Sequence, residues 1–396
     1  MLAASRPPPL PCGESKPAPA ALAGILSLLL VVFLGSAVVS FLDNSLYLAL
    51  RRTDLAMFSG ISFLLMLLTG LLGYCLMGFA PGIPKRVFMP VCLFIPVAYV
   101  GVLPLLVYFS GHAMEILWGV SLAQVLLGFL ILHRVQGGLK FRWPLFPAEN
   151  LAERKFSWGN LAGVLTAGVF LIVPSLVLYS AFTAMISVNH FTDGFVTLRP
   201  AGISMQVRKY VRHDGREITL VPMSHVGEPE FYHALTASFP PDSVILMEGV
   251  SDHRNLATVH SDYSKMAATV GGVEQTKVFK PQGEIVHADV DISAFSPATL
   301  ELLKTAMLVH SKGVTAETLP ILMKPTPPGL EKQLMDDILT KRNRHLLGVV
   351  RERLSTSKSL IIPWGAAHMP EVAREIQKDG FRVMETRDFM AIRFGS

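Results

Sequence analysis

Residues 359–369 read Ser359-Leu360-Ile361-Ile362-Pro363-Trp364-Gly365-Ala366-Ala367-His368-Met369. The apolar run Leu360-Ile361-Ile362 has the composition of a buried strand. It ends on small residues, and a histidine stands where the next helix begins. That helix carries Val372 and Ile376 at i, i+4 spacing and stops at Gly380. The end of a buried strand just before a helix is where α/β domains place their chemistry. Gly365 and Ala366 leave room for a metal or a substrate to approach the backbone beside His368.

The same context occurs about 140 residues earlier. Phe195–Leu198 and Met205–Val211 read as strands, and His213-Asp214-Gly215-Arg216 is a hairpin turn. Glu217–Met223 returns as a strand and runs into Pro222-Met223-Ser224-His225. A helix opens at Gly227-Glu228-Pro229-Glu230 and carries Phe231, Leu235 and Phe239. Ser243–Gly249 is a buried strand with Glu248 at its C-terminal end. A carboxylate after such an apolar run is costly unless it is paired, metal-bound or emerging into solvent. A helix is expected around His260–Val270. Along the expected strand Glu284–Ile292, alternation puts His287, Asp289 and Asp291 on one face, where they either line a site or meet water.

Helices are expected over Pro297–His310 and Leu330–Leu354. Arg342, Asn343 and Arg344 cluster in the middle of the second; they form either an anion-binding group or a solvated face. Strands at Phe381–Glu385 and Met390–Arg393 complete the pattern. The alternation of strands and helices predicts an α/β domain with a mixed central sheet over residues 187–396. His225, Glu248 and His368 each end a strand. Together they could be a three-ligand metal set with positions left open for water, although each is also an ordinary structural residue.

Ahead of this domain the chain is of another kind. The sequence is 51% hydrophobic with a mean hydropathy of +0.45, too apolar for an ordinary soluble enzyme of 396 residues. Five segments reach bilayer-spanning length, roughly Leu22–Leu42, Met57–Phe79, Val87–Phe109, Met114–Leu132 and Asn160–Met185. The fold class is therefore an α-helical membrane region of five transmembrane helices (residues 21–186) followed by the α/β domain. A Pro/Ala-rich tail, residues 1–20, precedes them, and the first span reads as a retained helix rather than a cleaved signal. Pro90, Pro96, Pro104 and Pro174 either kink their helices or are tolerated as prolines commonly are in membranes. Few ionisable residues fall within the spans, and the sequence suggests no polar convergence inside the bundle. Both points favour an anchor over a transporter.

Charge is divided unequally. Residues 1–186 hold 11 Lys/Arg and 6 Asp/Glu, and residues 187–396 hold 24 of each, so the whole +5 excess lies in the membrane half. It is explained by loops that set topology and is no argument for nucleic-acid binding. With the N-terminus inside, nine basic residues fall on the cytoplasmic side, and only Arg51 and Arg52 fall outside. That places the N-terminus in the cytoplasm and the α/β domain outside it. The domain has no cysteine, all three lying at positions 12, 75 and 92, and it holds 10 of the 12 histidines.

Residues 216–388 resemble the TraB/Tiki superfamily, which includes the PrgY and GumN proteins and is distantly related to erythromycin esterase and ChaN-like proteins. The resemblance rests on two GxxH motifs. The late one is intact as Gly365-Ala366-Ala367-His368; the early one reads Pro222-Met223-Ser224-His225, with Pro in place of Gly. Between them lie a strand ending in Glu248, an Asp-rich strand Ala288-Asp289-Val290-Asp291-Ile292, and the pair Arg342-Asn343. The resemblance implies a membrane-anchored, metal-dependent hydrolase, a peptidase acting on a peptide or protein outside the cytoplasm. His225 and His368 would be metal ligands, Glu248 a ligand or general base, and Arg342 an oxyanion stabiliser, with Asn343 and Asp289 beside them. The implied ion is divalent: manganese, cobalt or zinc. The alternative is a non-catalytic membrane-tethered binding or sensor domain of the TraB/PrgY type, acting in signal-peptide shutdown.

Overall fold

The computed structural model of the chain describes residues 17–253, 267–268, 271–313, 315, 318 and 329–395. The helix expected around His260–Val270 lies almost wholly outside them. The chain divides into two compact units, Met1–Thr183 and Ala184–Ser396.

Among the described residues, five helices are long and apolar enough to cross a membrane, the pattern of a multi-pass membrane protein. They are α1 (Pro17–Leu50), α2 (Ala56–Phe79), α3 (Lys85–Tyr108) and α4 (Ala113–Gln136), followed by a fifth in two pieces. The pieces, α5 (Trp158–Ala167) and α6 (Val173–Phe191), are joined by a π turn at Gly168–Ile172. Pro174 lacks the N–H that an unbroken α-helix would use there, and the π turn lies just ahead of it. α3 runs on through Pro90, Pro96 and Pro104.

The first helix does not stop near Leu42. It continues to Leu50 and takes Asp43 and Asn44 with it, and Asn44 and Ser45 are bonded to α4. Asn44 Nδ2 donates to Leu117 O and Ser121 Oγ, both at 3.3 Å, and Trp118 Nε1 donates to Ser45 Oγ at 2.9 Å. Farther along, Gln124 Nε2 reaches Phe33 O at 3.3 Å, and the Gln124 side chain is fully buried, its Oε1 without a hydrogen-bond partner among the described residues. Uncharged polar groups thus do meet inside the bundle, along the α1–α4 seam. They are short serine, asparagine and glutamine side chains that a search for charges passes over, and they bind helix to helix.

The second unit is built on one mixed sheet. Its strands are β1 (Val196–Arg199), β2 (Gly202–Val211), β3 (Glu217–Met223), β5 (Val244–Met247), β7 (Glu284–His287), β8 (Ser359–Gly365) and β9 (Arg382–Arg393). The order is β1-β2-β3-β8-β5-β7, with β9 also paired to β2. β3, β8, β5 and β7 run parallel, whereas β1, β3 and β9 are antiparallel to β2. Two short strands, β4 (Val226–Gly227) and β6 (Val273–Glu274), form a separate pair. β9 is continuous where two pieces were expected, because β2 opposes it throughout and absorbs its irregularities in two register shifts.

Helices cover both faces of the parallel strands, which is why the run at 360–362 is apolar without alternation. Leu360, Ile362 and Trp364 pack with Leu346, Val350, Val372 and Ile376 on one face. Ile361 packs with Phe231, Tyr232 and Leu235 on the other. The helices are α7 (Pro229–Ala237), α8 (Gln275–Val278), α9 (Pro297–Lys312), α10 (Leu330–Met335), α11 (Lys341–Arg353) and α12 (Met369–Lys378). A π segment, Asp336–Thr340, joins α10 to α11. Within it the buried Asp337 accepts hydrogen bonds from Ser296 N and Oγ, Thr299 Oγ1 and Lys341 Nζ. Burial opposes its charge, but Lys341, Ser296 and Thr299 outweigh burial and hold its carboxyl below the usual range. These bonds fix the start of α11 and turn Arg342 and Asn343 inward.

Candidate functional site

Three parallel strands and one helix deliver the site. β8 ends at Gly365, β5 ends one residue before Glu248, and β7 ends two residues before Asp289. Asp289 was expected on a strand face with His287 and Asp291, but the strand stops at His287. The aspartates themselves end it by bonding the local backbone, Asp289 Oδ1 accepting from Val290 N at 2.8 Å and Asp291 Oδ1 from Ser293 N at 3.0 Å.

Arg342 enters from α11 and joins these ends. Its Nε donates to Asp289 Oδ1 at 3.0 Å, and Nη2 donates to Asp289 Oδ2 at 2.7 Å and to Glu248 Oε1 at 2.6 Å. Nη1 reaches His368 Nε2 at 3.2 Å and Ile338 O at 3.4 Å. Five donor–acceptor contacts engage all five guanidinium N–H groups. The Asp289 side chain is wholly buried, and that of Arg342 is 10% exposed. Burial works against the arginine's charge, but Asp289 and Glu248 outweigh it and hold the guanidinium protonated above its usual range. Asp289 Oδ2 also accepts from Gly249 N at 3.0 Å. The Gly365 N–H donates to Glu248 Oε2. The space left by Gly365 is therefore filled by a carboxylate of the protein itself: a Cβ there would stand 3.3 Å from Glu248 Oε2 and 3.6 Å from His368 Cδ2.

His368 has a fixed tautomer. Glu371 can only accept, so Asn343 turns its Nδ2 to Glu371 Oε2 at 2.6 Å and its Oδ1 to His368 Nδ1, also at 2.6 Å. The proton accordingly sits on Nδ1, and the Nε2 lone pair receives Arg342. The ring stands edge-on to Trp364 with centroids 5.1 Å apart, and Trp364 Nε1 donates to Leu246 O at 3.0 Å. Burial pushes the imidazole down to about 4; Arg342 acts in the same direction, against the pull of Glu248 and Asp289. The imidazole is neutral near pH 7.

The cluster gathers Glu248, Asp289, Arg342, Asn343 and His368 from the sequence candidates. His225 is placed differently. Pro222 pairs with Trp364 and Met223 with Gly365, so both histidines follow the ends of neighbouring parallel strands. The chain after Met223 then turns into β4, and the His225 side chain is exposed. It lines a pocket of about 640 Å³ that Glu248 and Arg342 also line, with Met247, Phe279, Phe295, Leu303 and Ile338 among its apolar walls. Sequence reasoning missed Glu371 and Trp364. His368 and Glu371 lie three residues apart across a first helical turn, which was the available signal. It also missed His253, whose Nδ1 lies 2.8 Å from Asp291 Oδ2; no spacing pointed to that pair.

As arranged, these residues do not fit a metal ion. Both oxygens of Glu248 and the His368 Nε2 lone pair are taken, and a guanidinium stands where the ion would. Among the described residues, no three His, Cys, Asp or Glu side chains are grouped to hold a metal. No family profile, curated protein or solved structure matches this chain.

Proposed function

We propose that the second unit is a membrane-tethered binding domain for a short peptide, or a peptide-like molecule, with apolar side chains. The five spans anchor it, and the nine-against-two loop charge balance supports a location outside the cytoplasm. The pocket carries the reading: about 640 Å³ lies within the range of sites that enclose a small ligand, and its lining mixes apolar side chains with polar ones, among them Glu248, Arg342, Glu274 and Lys304. Glu248 and Arg342 in that lining already have their hydrogen-bond partners, so they offer a fixed polar surface rather than a poised reactive group. The experiment is displacement of a hydrophobic fluorescent dye from the detergent-solubilised full chain by synthetic peptides. Leu303→Glu, at a half-buried wall position, should abolish dye and peptide binding without unfolding the protein. Unchanged binding in that variant would place the ligand elsewhere.

A peptidase reading is favoured by one separate observation. Asp291 holds the exposed His253 through Nδ1, three residues beyond the wall residue Val250. A carboxylate-held imidazole can take a proton from an attacking water at its other nitrogen and return it to the leaving amine. Cleavage of a peptide library by the full chain, lost in His253→Ala, would support this reading. Absence of cleavage in the wild type would remove it and leave the binding domain.

A further inference from the structure

Three ligand-type atoms converge on one guanidinium. Glu248 Oε1 and Asp289 Oδ2 lie 2.6 and 2.7 Å from Arg342 Nη2, and His368 Nε2 lies 3.2 Å from Nη1. Glu248 Oε1 and His368 Nε2 are 3.6 Å apart. Ligands about 2.1 Å from a tetrahedral ion are separated by roughly 3.4 Å. Two of the three atoms thus stand near the spacing of ligands to one ion. Two carboxylates and a neutral imidazole form an oxygen–nitrogen set that suits manganese, cobalt and zinc. Without the arginine, two adjacent carboxylates and an imidazole are left with no cation between them, a charge imbalance that a divalent ion would relieve.

We propose that Arg342 is the resident cation of this centre, a tethered substitute for a divalent metal ion. The wild-type centre admits no such ion; once the guanidinium is gone, Glu248, Asp289 and His368, which form no metal group as they stand, close in on a divalent cation. The supports that aim these atoms do not depend on Arg342. Asn343 Oδ1 holds His368 Nδ1–H, the Gly365 N–H holds Glu248 Oε2, and the N–H groups of Val290 and Gly249 hold Asp289. Such outer bonds orient metal ligands in general. The inference stands on this cluster alone and does not depend on what the pocket binds.

The test uses the detergent-solubilised full chain titrated with Co²⁺, read by visible absorption, and with Mn²⁺, read by loss of the free-ion paramagnetic signal. The wild type should bind no ion at this centre. Arg342→Met should bind one, and adding Asp289→Asn or His368→Ala to that variant should weaken binding at least tenfold. Should Arg342→Met fold poorly, either ion is expected to raise its melting temperature while leaving that of the wild type unchanged. A wild-type protein that binds one ion and loses it in Glu248→Gln or His368→Ala would overturn the proposal. So would an Arg342→Met protein that neither binds an ion nor is stabilised by one.

Discussion

Arg342 and Asp289 form a two-point ion pair at the end of the parallel sheet, at 3.0 Å and 2.7 Å, with the aspartate wholly buried. Removing Asp289 takes away two of the guanidinium's hydrogen bonds and leaves this buried charge with Glu248 as its one carboxylate partner. Asp289→Ala is expected to destabilise the second unit by about 3–5 kcal/mol. Chemical denaturation of the full chain, followed through hydrogen exchange of residues 184–396, measures this. A loss below about 1 kcal/mol would show that the pair does not hold the strand ends together.

Stability should depend on pH through His368. The folded imidazole titrates at about 4, against about 6.5 in the unfolded chain. Between these values the unfolded state takes up a proton that the folded state refuses. The stabilisation is therefore complete above pH 6.5 and is lost as pH falls toward 4, up to about 3 kcal/mol in all. His368→Gln should flatten this part of the profile. Equal slopes in variant and wild type would assign the dependence to other groups.

Asn343 couples His368 to Glu371 and is 1% exposed. Asn343→Leu fills similar volume but leaves a buried Nδ1–H without an acceptor, at a cost of about 1–3 kcal/mol. It also frees the ring to change tautomer. Nitrogen chemical shifts of His368 should report the Nδ1–H form in the wild type and a mixture in the variant.

In the first unit, Gln124 has a buried Oε1 with no partner among the described residues. Gln124→Leu gives up one bond to Phe33 O and relieves one unsatisfied acceptor. The expected change in thermal stability in detergent is within about 1 kcal/mol of zero, in either direction. A loss well above 2 kcal/mol would mean that the amide has a partner in the membrane.

The loop charges predict that an enzyme reporter active only outside the cytoplasm will work when fused after Ser396. Activity of a cytoplasm-only reporter at the same position would reverse the orientation. Moving Lys85 and Arg86 to the loop between the first two spans should reduce correct insertion, because these charges help set it.

The strand–turn–His–helix reading of residues 359–378 corresponds to β8 and α12, since an apolar run and an i, i+4 helical stripe are local signals. Glu248 at a strand end was visible for the same reason. The inward turn of Arg342 and Asn343 was not legible from periodicity, which left them on either face of a long helix. A π segment held by Asp337 decides it, and three of Asp337's bonds go to residues about 40 positions away. Asp289 was misplaced because alternation was extended past the point where the aspartates bind their own backbone. The exposure of His225 against the burial of His368 follows from the β4–β6 pairing, which no local pattern announces.

The pairing of β2 with β9 bears on how a cell makes this protein. β2 begins at Gly202, and its partner along ten residues is β9, Arg382–Arg393. Everything between them must have left the ribosome before the sheet can close. The spans are then already available for insertion while β2 waits with an open edge, a surface that recruits stray strands. A ribosome that stalls or stops early anywhere before Arg382 would leave an inserted anchor carrying an unclosed sheet, a natural target for membrane quality control.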